Sequence, residues 1–235
     1  MHCSDVGADA YAVSMCASYG LDPRFDDHEY RDVVDAAVLE GLRSWAVGND
    51  GEILRPTGKN LRNLNPILTG SSELELAWWG YLVNGAPASF ASINTRSERL
   101  ANAKGDLPAR AIVPVSFWRE MAKPSRVWHH FTAPDDGLLG LAAVTRPGRT
   151  SDGVDYTCYS IVMQPAAAHL AHVHDRMPLL ISPGFAEDWL TTSNARGDLI
   201  DAAISASAPI NETVRVTPAE DEKAAPRSTG GERLF

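Results

Sequence analysis

Residues 138–163 read LLGLAAVTRPGRTSDGVDYTCYSIVM, two apolar runs separated by a polar stretch that contains Gly, Pro and Ser. The runs at 138–145 and 156–163 are short and include β-branched and aromatic residues, which favours two strands joined by a turn. The same alternation of strand candidates and polar turns recurs at 74–83, 110–118, 127–132, 177–182 and 212–217. Short strands at this spacing predict a mainly antiparallel, barrel-like sheet.

The sequence contains fewer helix candidates than strand candidates, and most of them are short. Residues 26–47 give the clearest one, with a cap at Asp26 or Asp27, apolar residues at helical spacing, and a Gly-Asn-Asp-Gly stop. Short helices are expected at 97–103, 183–190 and 198–205, and a polar surface loop at 55–70. We therefore predict an α+β fold with a single domain, in which short helices flank a mainly antiparallel, barrel-like β-sheet.

Length and composition limit the class of protein. A chain of 235 residues with 44% hydrophobic residues is long enough for one sizeable core. Cys3, Cys16 and Cys158 form no CxxC pair, which argues against a disulfide scaffold or a structural zinc site. No run is long enough to span a bilayer, and residues 1–14 lack the charge and apolar core of a signal peptide. We expect a cytoplasmic protein that is not bound to membranes.

The chain is acidic overall, but its basic residues are concentrated in one segment. The formal net charge is -9, which by itself disfavours nucleic acid as a partner. Residues 54–149, however, carry twelve Lys and Arg against seven Asp and Glu. This basic middle segment permits a local contact with phosphates, although a solvated mixed surface explains the charges equally well.

Cys16 directly follows Met15, a residue at which translation could also start. If the chain begins there and loses the methionine, Cys16 carries an α-amine with a pKa of about 7.7–8.0 and a thiol with a pKa of about 8.5. The amine can condense with an aldehyde to an imine, and the thiol can close on the imine carbon to form a thiazolidine. Cys16 is therefore a candidate aldehyde trap, and a small buried cysteine on an early strand is the alternative.

Two further polar residues lie beside strand candidates. Asn94 fits either a helix cap or an amide that orients a reacting group. Glu120 follows an aromatic strand end, where a solvated carboxylate is the simplest interpretation. Burial beside Trp118 would instead raise the pKa of Glu120 and suit it to general acid or base catalysis.

His174 lies in a segment that also contains His169 and His172. Their spacing matches neither HExxH nor a zinc-finger half-site, so we expect no metal and no cofactor. The turn at 174–178 favours a lone catalytic imidazole that is held by the neighbouring Asp175.

Taken together, these residues resemble the SOS response-associated peptidase family, the abasic-site processing proteins. The resemblance runs from Met15 to about Thr217, and its motifs occur in the family's order. The matching stretches are Met15-Cys16, the loop 63–66 (NLNP), Trp79-Gly80, 93–98 (INTRSE), 110–120 (RAIVPVSFWRE) and 174–178 (HDRMP).

The resemblance implies a function and assigns roles. The N-terminal cysteine of this family forms a thiazolidine with the ring-opened aldehyde of an abasic site in single-stranded DNA, which protects the lesion in the DNA damage response. Cys16 would then be the crosslinking nucleophile, Asn94 would position it, and Glu120 and His174 would move protons. Arg96 would hold a phosphate. Stacking or polar contacts to the DNA would come from Asn63, Trp78 and Trp79.

Two departures from the family pattern affect these expectations. The family usually begins Cys-Gly-Arg, whereas this chain has Cys16-Ala17-Ser18 and so lacks that arginine. Phe117 replaces the glycine before the strand tryptophan and is expected to narrow the pocket.

Residues 1–14 precede the nucleophile and would leave the nitrogen of Cys16 in an amide. Translation from Met15, removal of a propeptide, and a retained leader are three explanations. We expect residues 1–14 to be absent from the mature protein, 15–217 to form the catalytic domain, and 218–235 to be a disordered tail.

The expected activity is covalent capture of abasic sites, with abasic-site lyase-type and self-processing peptidase activities, by a monomer whose partner is damaged single-stranded DNA. The alternatives are a cysteine-type self-processing peptidase that uses Cys16, His174 and Glu120, and a noncovalent module that binds single-stranded DNA.

Overall fold

The computed structural model describes residues 18–32, 34–49, 64–70, 73–88, 92–123 and 125–219. Within them the strands are β1 (Tyr19–Gly20), β2 (Leu64–Leu68), β3 (Leu74–Trp79), β4 (Leu82–Val83), β5 (Ala86–Pro87), β6 (Asn94–Arg96), β7 (Arg110–Val115), β8 (Phe117–Met121), β9 (Trp128–Thr132), β10 (Leu139–Arg149), β11 (Asp155–Pro165), β12 (Arg176–Pro178), β13 (Leu180–Ile181) and β14 (Arg215–Pro218). The α-helices are α1 (Ala36–Gly48), α2 (Ser97–Ala101), α3 (Ala186–Thr191) and α4 (Gly197–Thr213), and a 3₁₀ turn covers Pro183–Phe185.

Five strands close into a barrel in the order β11, β3, β2, β7, β10 and back to β11. The closing pair, β10 with β11, is antiparallel from Ala143 opposite Ile161 to Arg149 opposite Asp155. The other neighbours are also antiparallel, except that β3 runs parallel to β11. The predicted α+β fold with a mainly antiparallel barrel and short flanking helices is therefore confirmed.

Along each barrel strand, side chains point alternately into the barrel and to its outer wall. Tyr159, Ile161 and Met163 of β11 are buried inside with their counterparts from the other four strands. On the outer wall, Val144 and Val162 pack with residues of α3 and α4. Because successive side chains of a strand point to opposite faces, one strand supplies both layers.

A second sheet, in the order β1, β8, β9, β14, packs against the barrel. Trp118 of β8 lies opposite Tyr19 of β1 and Phe131 of β9. All three are buried in the same core cluster as the barrel interior. This inner face of the second sheet therefore extends the barrel core.

The first helix is shorter than the predicted 26–47. Helix α1 begins only at Ala36, where the side chain of Asp35 accepts a hydrogen bond from the Ala37 N–H at 2.7 Å. Asp26 instead accepts from the His28 N–H at 2.8 Å, so the stretch before α1 forms hydrogen-bonded turns. Asp side chains that bond nearby backbone N–H groups favour turns over helix.

The predicted loop at 55–70 is wrong at its end, where β2 pairs with β3 from Leu64 opposite Trp78 to Leu68 opposite Leu74. Residues 50–63 lie outside the described residues. The predicted leader, within 1–17, and nearly all of the predicted tail, within 220–235, also lie outside them. Among the described helices, none is long and apolar enough to cross a membrane.

Candidate functional site

The start of the described chain lies against β8. Ser18 is fully buried, and its carbonyl accepts a hydrogen bond from the Arg119 N–H at 2.9 Å. Cys16, the predicted nucleophile, lies two residues before Ser18 and outside the described residues, and so does Asn63. Ser18 is therefore the first described residue that follows Cys16 in the chain.

Glu120 lies in the middle of the second sheet and is only 3% exposed. It is opposite His129 of β9, and residues opposite each other in an antiparallel pair share a face of the sheet. Trp118, two residues earlier, points to the same face and into the core. Glu120 is therefore a buried carboxyl group beside Trp118, an arrangement that requires hydrogen bonding or protonation to be tolerated.

His129 connects Glu120 to the histidine segment. The rings of His129 and His172 meet edge to face, with their centroids 6.4 Å apart. The segment continues into His174, whose side chain is 8% exposed. The carboxyl group and the imidazole that the sequence singled out therefore lie on neighbouring segments.

The contacts of His174 indicate which ring nitrogen carries the proton when the imidazole is neutral. Its Nδ1 accepts a hydrogen bond from the Arg176 N–H at 3.0 Å, and the Asp175 Oδ1 lies 3.1 Å from the same nitrogen. One nitrogen cannot accept from an amide and donate to a carboxylate at the same time. The amide contact is the better fixed, because Asp175 is 87% exposed. Neutral His174 consequently carries its proton on Nε2, and Asp175 can pair only with the charged ring.

Asn94 lies on β6, which runs parallel to β11 with Asn94 beside Ile161. The carbonyl of the preceding Ile93 accepts from the Trp79 Nε1–H at 3.0 Å, and the Oδ1 atom of Asn94 is buried. The backbone at Ile93 and Asn94 is thus held by β11 and, through the Ile93 carbonyl, by the indole of Trp79.

An ion pair joins the segment after Asn94 to strand β12, which follows His174 in the chain. Arg176 on β12 donates to the Glu98 carboxylate of α2. Burial alone would raise the pKa of Glu98, but its own backbone N–H and the Arg176 guanidinium outweigh burial and lower it. Arg96, between Asn94 and Glu98, is exposed.

Inside the barrel, a buried polar network that is hardly predictable from the sequence supports the site. Tyr159 and Tyr19 are hydrogen-bonded through their hydroxyl groups, and the Asn65 Nδ2–H donates to the Tyr159 hydroxyl at 2.8 Å. The ring of Trp79 lies 4.6 Å from that of Tyr19 and 6.3 Å from that of Tyr159. The one available signal was Asn65, a polar residue inside a family-like motif.

These contacts form a continuous series. In order they join Ser18 to Arg119, Glu120 to His129, His129 to His172, Arg176 to Glu98, Ile93 to Trp79, and Trp79 to Tyr19. The elements that carry Asn94, Glu120 and His174 are therefore linked to one another and to Ser18, the first of the described residues.

Other predicted contacts fall elsewhere. Trp79 is 1% exposed, so its expected stacking on DNA does not fit, because the ring offers no open face. Trp78 points to the outer wall of the barrel. Phe117 stacks on His130 with ring centroids 5.1 Å apart, on the face of the second sheet opposite Glu120, so it does not narrow the space beside Glu120. Among the described residues, no group of three or more His, Cys, Asp or Glu is arranged to hold a metal ion.

Comparisons with known proteins agree with this architecture. A family model described as SOS response associated peptidase (SRAP) matches residues 52–221. The abasic site processing protein YobE of Bacillus subtilis is 24% identical over 203 residues, covering 81% of this chain and 88% of that protein. Abasic site processing protein YoaM of the same organism is 24% identical over 190 residues, covering 79% of this chain and 78% of that protein.

Solved structures share the fold. A protein from Bacteroides thetaiotaomicron superposes with a TM-score of 0.65 at 15% identity, covering 88% of this chain and 93% of the other. A protein from Bordetella bronchiseptica gives a TM-score of 0.60 at 17% identity, covering 87% of this chain and 100% of the other.

Proposed function

Because the chain belongs to the SOS response-associated peptidase family, we propose that it processes abasic sites in single-stranded DNA by covalent capture through Cys16. The proposal is supported by the continuous series of contacts that links the elements of Asn94, Glu120 and His174 to one another and to Ser18. Relatives bearing the name abasic site processing protein support the substrate class.

Cys16 is only two residues away from Ser18 in the chain. Consecutive Cα atoms are about 3.8 Å apart, so two residues of chain span at most about 7.6 Å. Ser18 is hydrogen-bonded to the residue before Glu120. The proposal therefore requires the two residues before Ser18 to direct Cys16 toward the Glu120 strand.

The reaction is redox-neutral and releases one water. The α-amine of Cys16 attacks the aldehyde carbon, the carbonyl oxygen takes up two protons and leaves as water, and an imine results. The thiol sulfur then adds to the imine carbon while its proton passes to the nitrogen, which closes the thiazolidine. Glu120 and His174 carry the protons in these steps.

The remaining roles concern binding. Asn94, fixed beside β11, orients the amine and the sugar oxygens. Arg96 is exposed at the edge of the same region and meets a phosphate next to the lesion. Asn63 remains a predicted contact.

The test uses a version that begins at Met15, so that loss of the methionine exposes the Cys16 amine. Mixed with single-stranded DNA that contains one abasic site, it should give a heat-stable crosslinked band, which Cys16→Ala should abolish. Cys158→Ala is the matched control, because Cys158 is fully buried and burial raises the pKa of its thiol. An equal band with Cys16→Ala would refute the proposal.

A self-processing peptidase is the second candidate, favoured by the family description and by the nearly buried imidazole of His174. It predicts hydrolysis of the Met15–Cys16 bond in the 235-residue chain. Mass spectrometry of the purified protein, with His174→Ala as the comparison, decides between cleavage and an intact start.

A further inference from the structure

The outer wall of the barrel carries a group of aromatic and apolar residues around one arginine. By register, Trp78 of β3 and Arg146 of β10 flank Cys158 of β11. We call this group the outer-wall patch, and it consists of Leu76, Trp78, Tyr81, Arg146 and Tyr156.

Four residues of the outer-wall patch contact one another in two pairs, and all five are at least partly exposed to solvent. The rings of Trp78 and Tyr156 are 5.7 Å apart at an angle of 55°. The Arg146 guanidinium carbon lies 3.7 Å from the centroid of the Tyr81 ring. Leu76 is 49% exposed, and the other four residues are half-buried. Exposed apolar groupings of this kind commonly mark binding surfaces.

The chemistry of the outer-wall patch favours one class of partner. Aromatic faces stack on bases without regard to sequence, and arginine supplies both a cation and a flat stacking surface. The described residues contain no ion pair of Arg146, so its charge remains available for a phosphate. Trp78, Tyr81 and Arg146 also belong to the basic segment 54–149.

We propose that the outer-wall patch is a second contact surface for single-stranded DNA, which binds undamaged nucleotides away from the lesion. Three neighbouring strands span about 10 Å, enough for about two nucleotides. Bases stack on Trp78 and Tyr156, and Arg146 holds a phosphate. The proposal relies on the proposed function only for the identity of the nucleic acid.

The experiment measures binding of a labelled single-stranded oligonucleotide without abasic sites, by fluorescence anisotropy over a range of salt concentrations. Tyr156→Ala should weaken binding about tenfold, as expected for the loss of one stacked base, and Tyr156→Phe should retain it. Arg146→Gln should weaken binding and reduce the salt slope by about 0.7, the value for one phosphate contact on a single strand.

Arg149→Gln is the matched control. Arg149 lies three residues along the same strand on its opposite face, and it is already paired with Asp155 at 2.6 Å. It should leave affinity and salt slope unchanged. Thermal unfolding of each variant separates a loss of fold from a loss of binding.

The outcomes separate this proposal from covalent capture. Unchanged affinity and slope in both Tyr156→Ala and Arg146→Gln would overturn the outer-wall patch, even if crosslinking through Cys16 is observed. A loss of affinity in those variants supports it, even if no crosslink forms. Concentration-dependent self-association that Trp78→Ala abolishes, without any effect on DNA binding, would also overturn it.

Discussion

Replacing Asp27 with asparagine should destabilise the protein by about 2 kcal/mol at neutral pH and by much less in acid. The Asp27 side chain is 5% exposed and accepts hydrogen bonds from Arg31 Nε at 2.7 Å and from Arg43 Nη2. It joins the turns that follow β1 to helix α1. Its loss therefore loosens the segment that leads into the candidate site.

The magnitude follows from the exposure of the two partners. A hydrogen bond to a charged group contributes about 1.5–3 kcal/mol when it is well shielded. Arg31 is 66% exposed, so its bond to Asp27 is strongly screened, whereas Arg43 is 32% exposed and packs 4.8 Å from the centroid of the Phe25 ring. Counting mainly the Arg43 bond gives about 2 kcal/mol, or a Tm decrease of about 4–8 °C for a chain of this length.

The sign of the pH dependence follows from the pKa of Asp27. Burial alone would raise it, but the hydrogen bonds from Arg43 and Arg31 outweigh burial and hold the pKa below its ordinary value of 3.8. A carboxyl group with a lowered folded-state pKa stabilises the fold above the unfolded value, and this contribution is lost as the pH falls through the folded value. The difference between the wild type and Asp27→Asn should therefore shrink below about pH 4.

Urea unfolding at neutral pH and at several acid pH values measures the effect. Asp26→Asn is the control, because Asp26 is 47% exposed and its side chain contacts only His28 among the described residues, so its cost should stay within about 0.5 kcal/mol. The same destabilisation by Asp27→Asn at all pH values, or none at neutral pH, would refute the electrostatic reasoning.

Three further predictions concern the site and its support. Gly197→Ala should destabilise the fold by about 2–4 kcal/mol in thermal unfolding, because a Cβ at Gly197 would lie 1.9 Å from the backbone oxygen of Ala101 in α2. Glu120→Gln should slow crosslinking to abasic DNA at least about a hundredfold in a time course with little change in undamaged-DNA affinity, and an unchanged rate would remove Glu120 from proton transfer. Tyr159→Phe should cost about 1–3 kcal/mol in urea unfolding because it removes the hydroxyl group that bonds both the Asn65 amide and the Tyr19 hydroxyl, and a neutral result would show that these two bonds together contribute nothing.

Apolar patterning located the strands but not their ends. The runs at 138–145 and 156–163 are observed as Leu139–Arg149 and Asp155–Pro165, so the first strand continues four residues further toward the second. The last of the added pairs joins two charged residues, Arg149 and Asp155, at 2.6 Å. A pattern based on hydrophobicity cannot detect pairing between charged side chains on neighbouring strands.

The errors in the prediction have similar physical causes. The Asn and Pro residues of Leu64–Leu68 predict a loop, yet Asn65 can be buried in a strand because the Tyr159 hydroxyl accepts its amide proton. The resemblance implies that Trp79 stacks on DNA, although the alternation of its strand directs it into the barrel. In both cases the partner that determines the environment lies far away in the chain.

Strand register explains why the candidate site depends on long-range structure. Glu120 faces the core only because β8 pairs with β9 so that Glu120 lies opposite His129 and Trp118 lies opposite Phe131. A shift of one residue would move Glu120 to the face that carries Phe117 and His130, and would bury Arg119 in its place. Burial of Trp118 opposes that shift, since the shift would move the Trp118 ring out of the core together with Glu120. The apolar core that stabilises the second sheet thus also determines which carboxyl group shares a face with Trp118 and lies opposite His129.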